Sequence, residues 1–207
     1  MIDLAYVRRS LGAAAHMAAF KSDAMSGFDV SYEGFFRSFL AMAIAAPLYP
    51  LIVLGERGIV AAASQIEGGA RFLGIHGLSL AYCLIEAGSY VASWIVFPLV
   101  MVFISRLIGA GARYVPFVVA YNWGTCIVLA VTAAMHALYL AGIASLTVTA
   151  FLYYPVVGFA LSYRWWIARK GLEVPGFTAA GIVILDVLIS VFLAIGVGSL
   201  HQAMGGL

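Results

Sequence analysis

The stretch "IVFPLVMVFI", residues 95 to 104, holds ten apolar residues in a row. A membrane β-strand would alternate apolar and polar side chains over about ten residues, and this run does not alternate. It reads as part of a buried or membrane-spanning helix. Around it, 64% of the 207 residues are hydrophobic, 10% are charged, and mean hydropathy is +1.05. That leaves too little polar surface to cover a soluble globule of this size. Repeated apolar runs with short polar breaks imply several helices of about 20 residues, the length that crosses a hydrocarbon core of roughly 30 Å. The expected class is an all-α, polytopic transmembrane bundle.

Five spans are expected, at about residues 36 to 54, 78 to 104, 115 to 141, 143 to 167 and 178 to 204. Charge placement orients them. Arg8, Arg9, Lys21 and Arg37 precede or open the first span; Arg106 and Arg113 follow the second; Arg164, Arg169 and Lys170 follow the fourth. With the N-terminus inside and the C-terminus outside, nine of the eleven basic residues face the cytoplasm, Arg57 and Arg71 being the others. An even number of spans would fail that rule.

Residues 1 to 35 read as a cytoplasmic segment and residues 36 to 207 as the five-span domain. No continuous hydrophobic core precedes residue 38, so no cleavable signal is expected. Within the segment, Leu4, Val7, Leu11, Ala14 and Ala18 recur at helical spacing, away from Arg8, Arg9 and His16. This predicts an amphipathic helix, lying at the interface or docked on the bundle. Asp29 or Ser31 offers an N-cap to the next helix, with Glu33 in its first turn. Pro47 and Pro50 predict a broken first span, and Pro98 and Pro155 further bends. Pro116 suits the first turn of span three. "GIVAAASQIEGGARF", residues 58 to 72, is expected to form a short interfacial helix. Tyr114, Tyr163, Trp165 and Trp166 are expected in an interfacial belt.

The polar residues inside the spans are the candidate site. Ser79, Cys83, Glu86, Tyr90 and Ser93 follow at spacings of four, three, four and three, which puts them on one helix face. Asn122, Thr125, Thr132, His136 and Tyr139 form a comparable stripe, and Asp186 and Ser190 stand four apart. Such faces turn toward other helices or water. The expected topology puts Glu86 about 7 Å outside the midplane and about 15 Å in depth from Asp186. Glu86 is therefore expected to pair with His136, and Asp186 with Asn122. Two roles stay open for them: a pathway for an ion, proton or ligand, or hydrogen bonding between helices.

Other chemistry finds little footing. A net charge of +2 does not suggest a nucleic-acid partner. Cys83 and Cys126 fall within spans, as packing residues rather than a disulfide or zinc framework. His76 and His136 as haem or pigment ligands would need matched depths, and His76 falls at the water interface. There is no phosphate-cradling glycine loop, paired-histidine metal motif or nucleophile elbow, so neither a cofactor nor an enzyme is expected. Gly158, four before Ser162, and Gly196 with Gly198 are expected at close helix contacts. Many alanines and glycines, with arginine favoured over lysine, suggest a GC-rich bacterial genome and hence the cytoplasmic (inner) membrane.

The prolyl first span "AAPLYPLIVL", residues 45 to 54, and the opening of the third, "RYVPFVVAYNWG", residues 113 to 124, resemble the Yip family of five-span membrane proteins. That family's Asp-Leu-x-Gly-Pro motif is met here only by Pro47-Leu48-Tyr49-Pro50, without its aspartate and glycine. The resemblance implies a small membrane-organising or adaptor protein without a cofactor. Its partners would be membrane lipids, further copies of the chain, or other membrane subunits. The absence of reactive motifs, together with many small and aromatic intramembrane residues, makes a scaffold or accessory subunit of a larger complex the expected function, the alternative being a small-solute or proton/ion transporter using Glu86 and His136.

Overall fold

The structure, a computed structural model, describes residues 3–66 and 79–205. Among them there is no strand, and five helical segments are long and apolar enough to cross a membrane. These run Tyr32–Ala63, Leu80–Leu107, Gly111–Leu140, Leu146–Gly171 and Gly176–Ala203. The chain is a polytopic helical membrane protein.

Helix α1, Leu4–Ala18, starts where Asp3 accepts hydrogen bonds from the backbone N–H of Ala5 and Tyr6. It docks on the bundle through most of the expected stripe, Ala14 buried and Val7, Leu11 and Ala18 half-buried against the core, with the centre of the face shifted toward Tyr6, Ser10, Ala13 and Met17. Tyr6, Ser10, Ala13, Ala14 and Met17 are buried, whereas Leu4 is 78% exposed. The many alanines set only a weak preference of face, and the large side chains Tyr6 and Met17 decide it. Tyr6 packs edge-on against Trp123, and Tyr163 donates to the carbonyl of Ala14 at 2.8 Å. Tyr163 is therefore fully buried rather than part of an interfacial belt.

The first span comes in pieces: α2, Tyr32–Ser38; α3, Leu40–Ala45; a single 3-10 turn over Ala46–Leu48; and α4, Tyr49–Ile66. Ser31 caps α2 by accepting from the N–H of Gly34. Behind it, Asp29 accepts from the Ser31 N–H. Hydrogen bonding to Ser31 holds the Asp29 carboxyl below its usual range. Pro47 sits in the 3-10 turn and Pro50 in the first turn of α4, so the break falls where the missing N–H groups require it. Side chains from neighbouring helices serve the backbone just before it. Tyr90 donates to the carbonyl of Met42 at 2.6 Å, and the Cys126 thiol to that of Ala41 at 3.3 Å.

Beyond the break, α4 is longer than the sequence implied. Glu56 and Arg57 lie on the helix, as do residues 58–66 of the expected interfacial helix; the rest of that stretch, with Arg71 and His76, falls outside the described residues. Helix α5, Leu80–Leu107, leads through a 3-10 turn at Gly111–Arg113 into α6, Tyr114–Leu140. Pro98 stays inside α5, and its carbonyl accepts from Tyr114. Helices α7, Leu146–Gly171, and α8, Gly176–Gly205, complete the bundle.

Helix α6 is the axis of the fold. It packs against α1, α2, α3, α4 and α7, and its residues 116–124 are all buried. Helix α8 closes the other side against α5 and α7. Tyr6, Met17, Ala45, Trp94, Phe117, Trp123 and Tyr163 belong to one hydrophobic core, so the N-terminal helix and the spans share it.

Candidate functional site: two intramembrane polar clusters

Helix α5 is capped by Ser79, whose hydroxyl accepts from the N–H of Tyr82, and Glu86 lies two turns farther along. Seven residues at about 1.5 Å each put its carboxylate about 10 Å inside the helix end. There Glu86 joins three helices. Its Oε2 accepts from the Tyr49 hydroxyl of α4 at 2.9 Å, and its Oε1 lies 2.9 Å from Nε2 of His201 on α8. The Tyr82 ring stacks on His201 with centroids 4.3 Å apart, and the Arg57 guanidinium lies 4.5 Å from the Tyr82 ring. With Glu86 ionised, the His201 contact requires the proton on Nε2; with Glu86 protonated, the same geometry puts it on Oε1. The contact brings two titratable groups within hydrogen-bond distance.

Among the described residues this cluster is not sealed. The Glu86 and His201 side chains keep 17% and 23% of their surface exposed, and both line a cavity of about 760 Å³ with Glu56, Arg57, Tyr82 and Ser89. A second cavity of about 500 Å³ adjoins it and shares Tyr49, Val53, Tyr82 and Glu86. Its remaining walls include Met42, Ala46, Leu54, Ala87 and Val91. The gap exists because α4 leans on α6 while α5 leans on α8. Tyr49 and Tyr90 bridge it with their hydroxyls, to Glu86 and to the Met42 carbonyl.

The second cluster encloses its carboxylate. Asp186, 4% exposed, accepts from the Tyr121 hydroxyl at 2.9 Å through Oδ1 and pairs with Arg164 at 2.5 Å through Oδ2. Arg164 also donates to the Tyr121 oxygen, which completes a ring of three groups. Charge and counter-charge lie in one neutral unit, the form in which ionised groups persist within a membrane. It clamps α6, α7 and α8 together and leaves no face of the carboxylate open.

The expected pairings are therefore both replaced. Glu86 meets His201 and Tyr49 rather than His136. His136 is buried, its Nδ1 against the Thr132 carbonyl and its ring against Gly55 of α4. Asp186 meets Tyr121, the residue beside Asn122. Asn122 points about 100° away around the helix, where its amide donates to Ser38 of α2 at 2.9 Å. Ser79 is a helix cap, Tyr90 lines the apolar cavity, and Cys83 lines it too. Among the described residues no three histidine, cysteine or carboxylate side chains come close enough to hold a metal ion.

Tyr49, Arg57, Tyr82, Arg164 and His201 are the residues that sequence reasoning passed over. His201 was within reach, since both the end of an outward fifth span and the start of an inward second span lie at the depth of Glu86. Arg164, a loop charge in the expected topology, stands seven residues, about 10 Å, before the end of α7. Asp186 lies ten residues, about 15 Å, after the start of α8, within reach of a long arginine side chain.

Compared with protein-family models, curated proteins and solved structures, the chain has no match in any of the three.

Proposed function

We propose that this multi-pass membrane protein catalyses no reaction and serves as an accessory subunit that holds a ligand in the cleft at Glu86. One observation carries the reading: the carboxylate and its partner His201 line an open cavity, whereas Asp186 is shut inside an ion pair. A carboxylate needed only for interhelical hydrogen bonding would be closed like Asp186. The large apolar side chains on the outside, such as Phe151, Tyr154, Phe177 and Phe192, face lipid, other copies or other subunits. Basic residues orient the protein with its N-terminus in the cytoplasm of a bacterial inner membrane, so the cleft opens on the opposite face. Membrane-organising adaptors such as the Yip family, which the chain resembles in topology, fit this role.

A second reading, proton-coupled transport, is favoured by the proton-sharing contact between Glu86 and His201. It requires a route past the buried residues 116–124 of α6, hence a second conformation.

The test is purification in mild detergent, followed by mass spectrometry of non-protein species bound to wild type and to Glu86→Gln. A species retained by wild type and lost from the variant is the expected result. Equal retention, or no retained species in either, would sink the ligand-holding role. Transport is tested in parallel by proton flux in proteoliposomes, which Glu86→Gln should abolish if that reading holds.

A further inference from the structure

The two cavities that meet at Glu86 differ in character and in depth. The polar one lies toward the helix ends: Arg57 is nine residues from the end of α4, Tyr82 two from the start of α5, and His201 four from the end of α8. All three ends lie on the same face of the bundle. The apolar one runs the other way, along α5 as far as Val91 and along the broken first span back to Met42. From Tyr82 to Val91 is about 14 Å along the helix axis. A polar chamber near the membrane surface thus opens into an apolar slot that points toward the midplane. That is the layout of a membrane lipid, with its headgroup at the interface and its chain in the hydrocarbon.

We infer that the cleft binds an amine-bearing phospholipid, one acyl chain in the slot and the headgroup between Glu86, Glu56 and Arg57. This rests on the ligand-holding role and names the ligand's class. Charge decides the headgroup. The chamber carries two carboxylates, Glu56 and Glu86, against one guanidinium, Arg57, with the His201 imidazole held at Glu86. An ammonium group is attracted to such a site, and Arg57 offers donors to the phosphate beside it. An anionic headgroup without an amine would meet two like charges and gain only one opposite charge. Glu86 keeps acceptor capacity for this, because a carboxylate has about four lone-pair sites and Tyr49 and His201 take two. The tyrosines Tyr49 and Tyr82, shared by both cavities, suit the junction, each with an apolar ring and a polar tip.

The test uses the full chain in detergent with phosphatidylethanolamine or phosphatidylglycerol of identical acyl chains, and native mass spectrometry to count retained lipid. A charge-assisted hydrogen bond to the amine predicts that phosphatidylethanolamine is retained about tenfold better by wild type. Glu86→Gln should bring its retention down to that of phosphatidylglycerol, and Ala87→Phe, which fills the slot, should lose both. Circular dichroism melting identifies any variant that has failed to fold; Ala87→Phe leaves every polar group in place and provides an independent variant. Equal retention of the two lipids by wild type, or an unchanged preference in Glu86→Gln, overturns the inference. If another species is lost from Glu86→Gln while the lipids show no preference, the ligand-holding role stands and the phospholipid assignment falls. If nothing specific is retained, both fall.

Discussion

Asp186→Ala is expected to destabilise the protein by about 3–5 kcal/mol, the usual result of leaving one member of a buried ion pair unpartnered. Arg164, with 21% of its side chain exposed, would lose its counter-charge while held among apolar side chains, and Tyr121 would lose the acceptor for its hydroxyl. For a chain of this size the loss corresponds to a fall in melting temperature on the order of 10 °C, read by tryptophan fluorescence in detergent. Asp186→Asn should cost less, since it keeps a hydrogen-bond acceptor in place. The pair Arg164→Leu with Asp186→Leu should recover much of the stability, because removing both charges also removes their desolvation cost. An Asp186→Ala protein as stable as wild type would mean that Arg164 reaches the membrane surface once released, and the clamp across α6, α7 and α8 would be ruled out.

The second large effect lies where α6 and α7 cross. A Cβ at Gly171 would stand 2.8 Å from the Phe117 Cα, and backbone cannot yield as a side-chain tip can. Gly171→Val is expected to cost about 1–3 kcal/mol through overpacking. Gly158, on the same helix, meets nothing within 4 Å. Gly158→Ala should therefore stabilise, by about 0.5–1 kcal/mol, since glycine in a helix interior gives up that much relative to alanine. Opposite signs from two glycines of one helix, measured in the same melting assay, would establish that the close approach of α7 to α6 lies at Gly171 and not at Gly158. Destabilisation by Gly158→Ala would instead place another subunit against that face.

These residues mark how far the sequence could be read. Lengths and hydropathy located the spans to within a few residues at most ends, and local chemistry located the Ser31 cap and the break at Pro47, because each depends on the chain nearby. Depth along a helix was also legible, which is why Glu86 and Asp186 were separated correctly into different clusters. Rotation about a helix axis was not. Asn122 and Tyr121 have almost the same depth but face different helices, and only the packing of α2 and α8 around α6 decides which one meets Asp186. The same limit misplaced the close glycines: Gly158, Gly196 and Gly198 have open space where a Cβ would stand, while Gly55 packs on His136. Spacing reveals which residues share a face, and not which neighbour that face meets.

The central claim, that the polar face at Glu86 is open rather than closed by neighbouring helices, has a direct measurement. Ser89 lines the polar cavity, Cys83 lines the apolar one, and Cys126 is buried. In a Cys83→Ser background, Ser89→Cys should react with a small, charged, water-soluble thiol reagent in the folded, detergent-purified protein, while Cys126 stays unmodified until unfolding. A Ser89→Cys thiol that reacts no faster than Cys126 would contradict an open cleft and leave Glu86 as a structural hydrogen-bonding group.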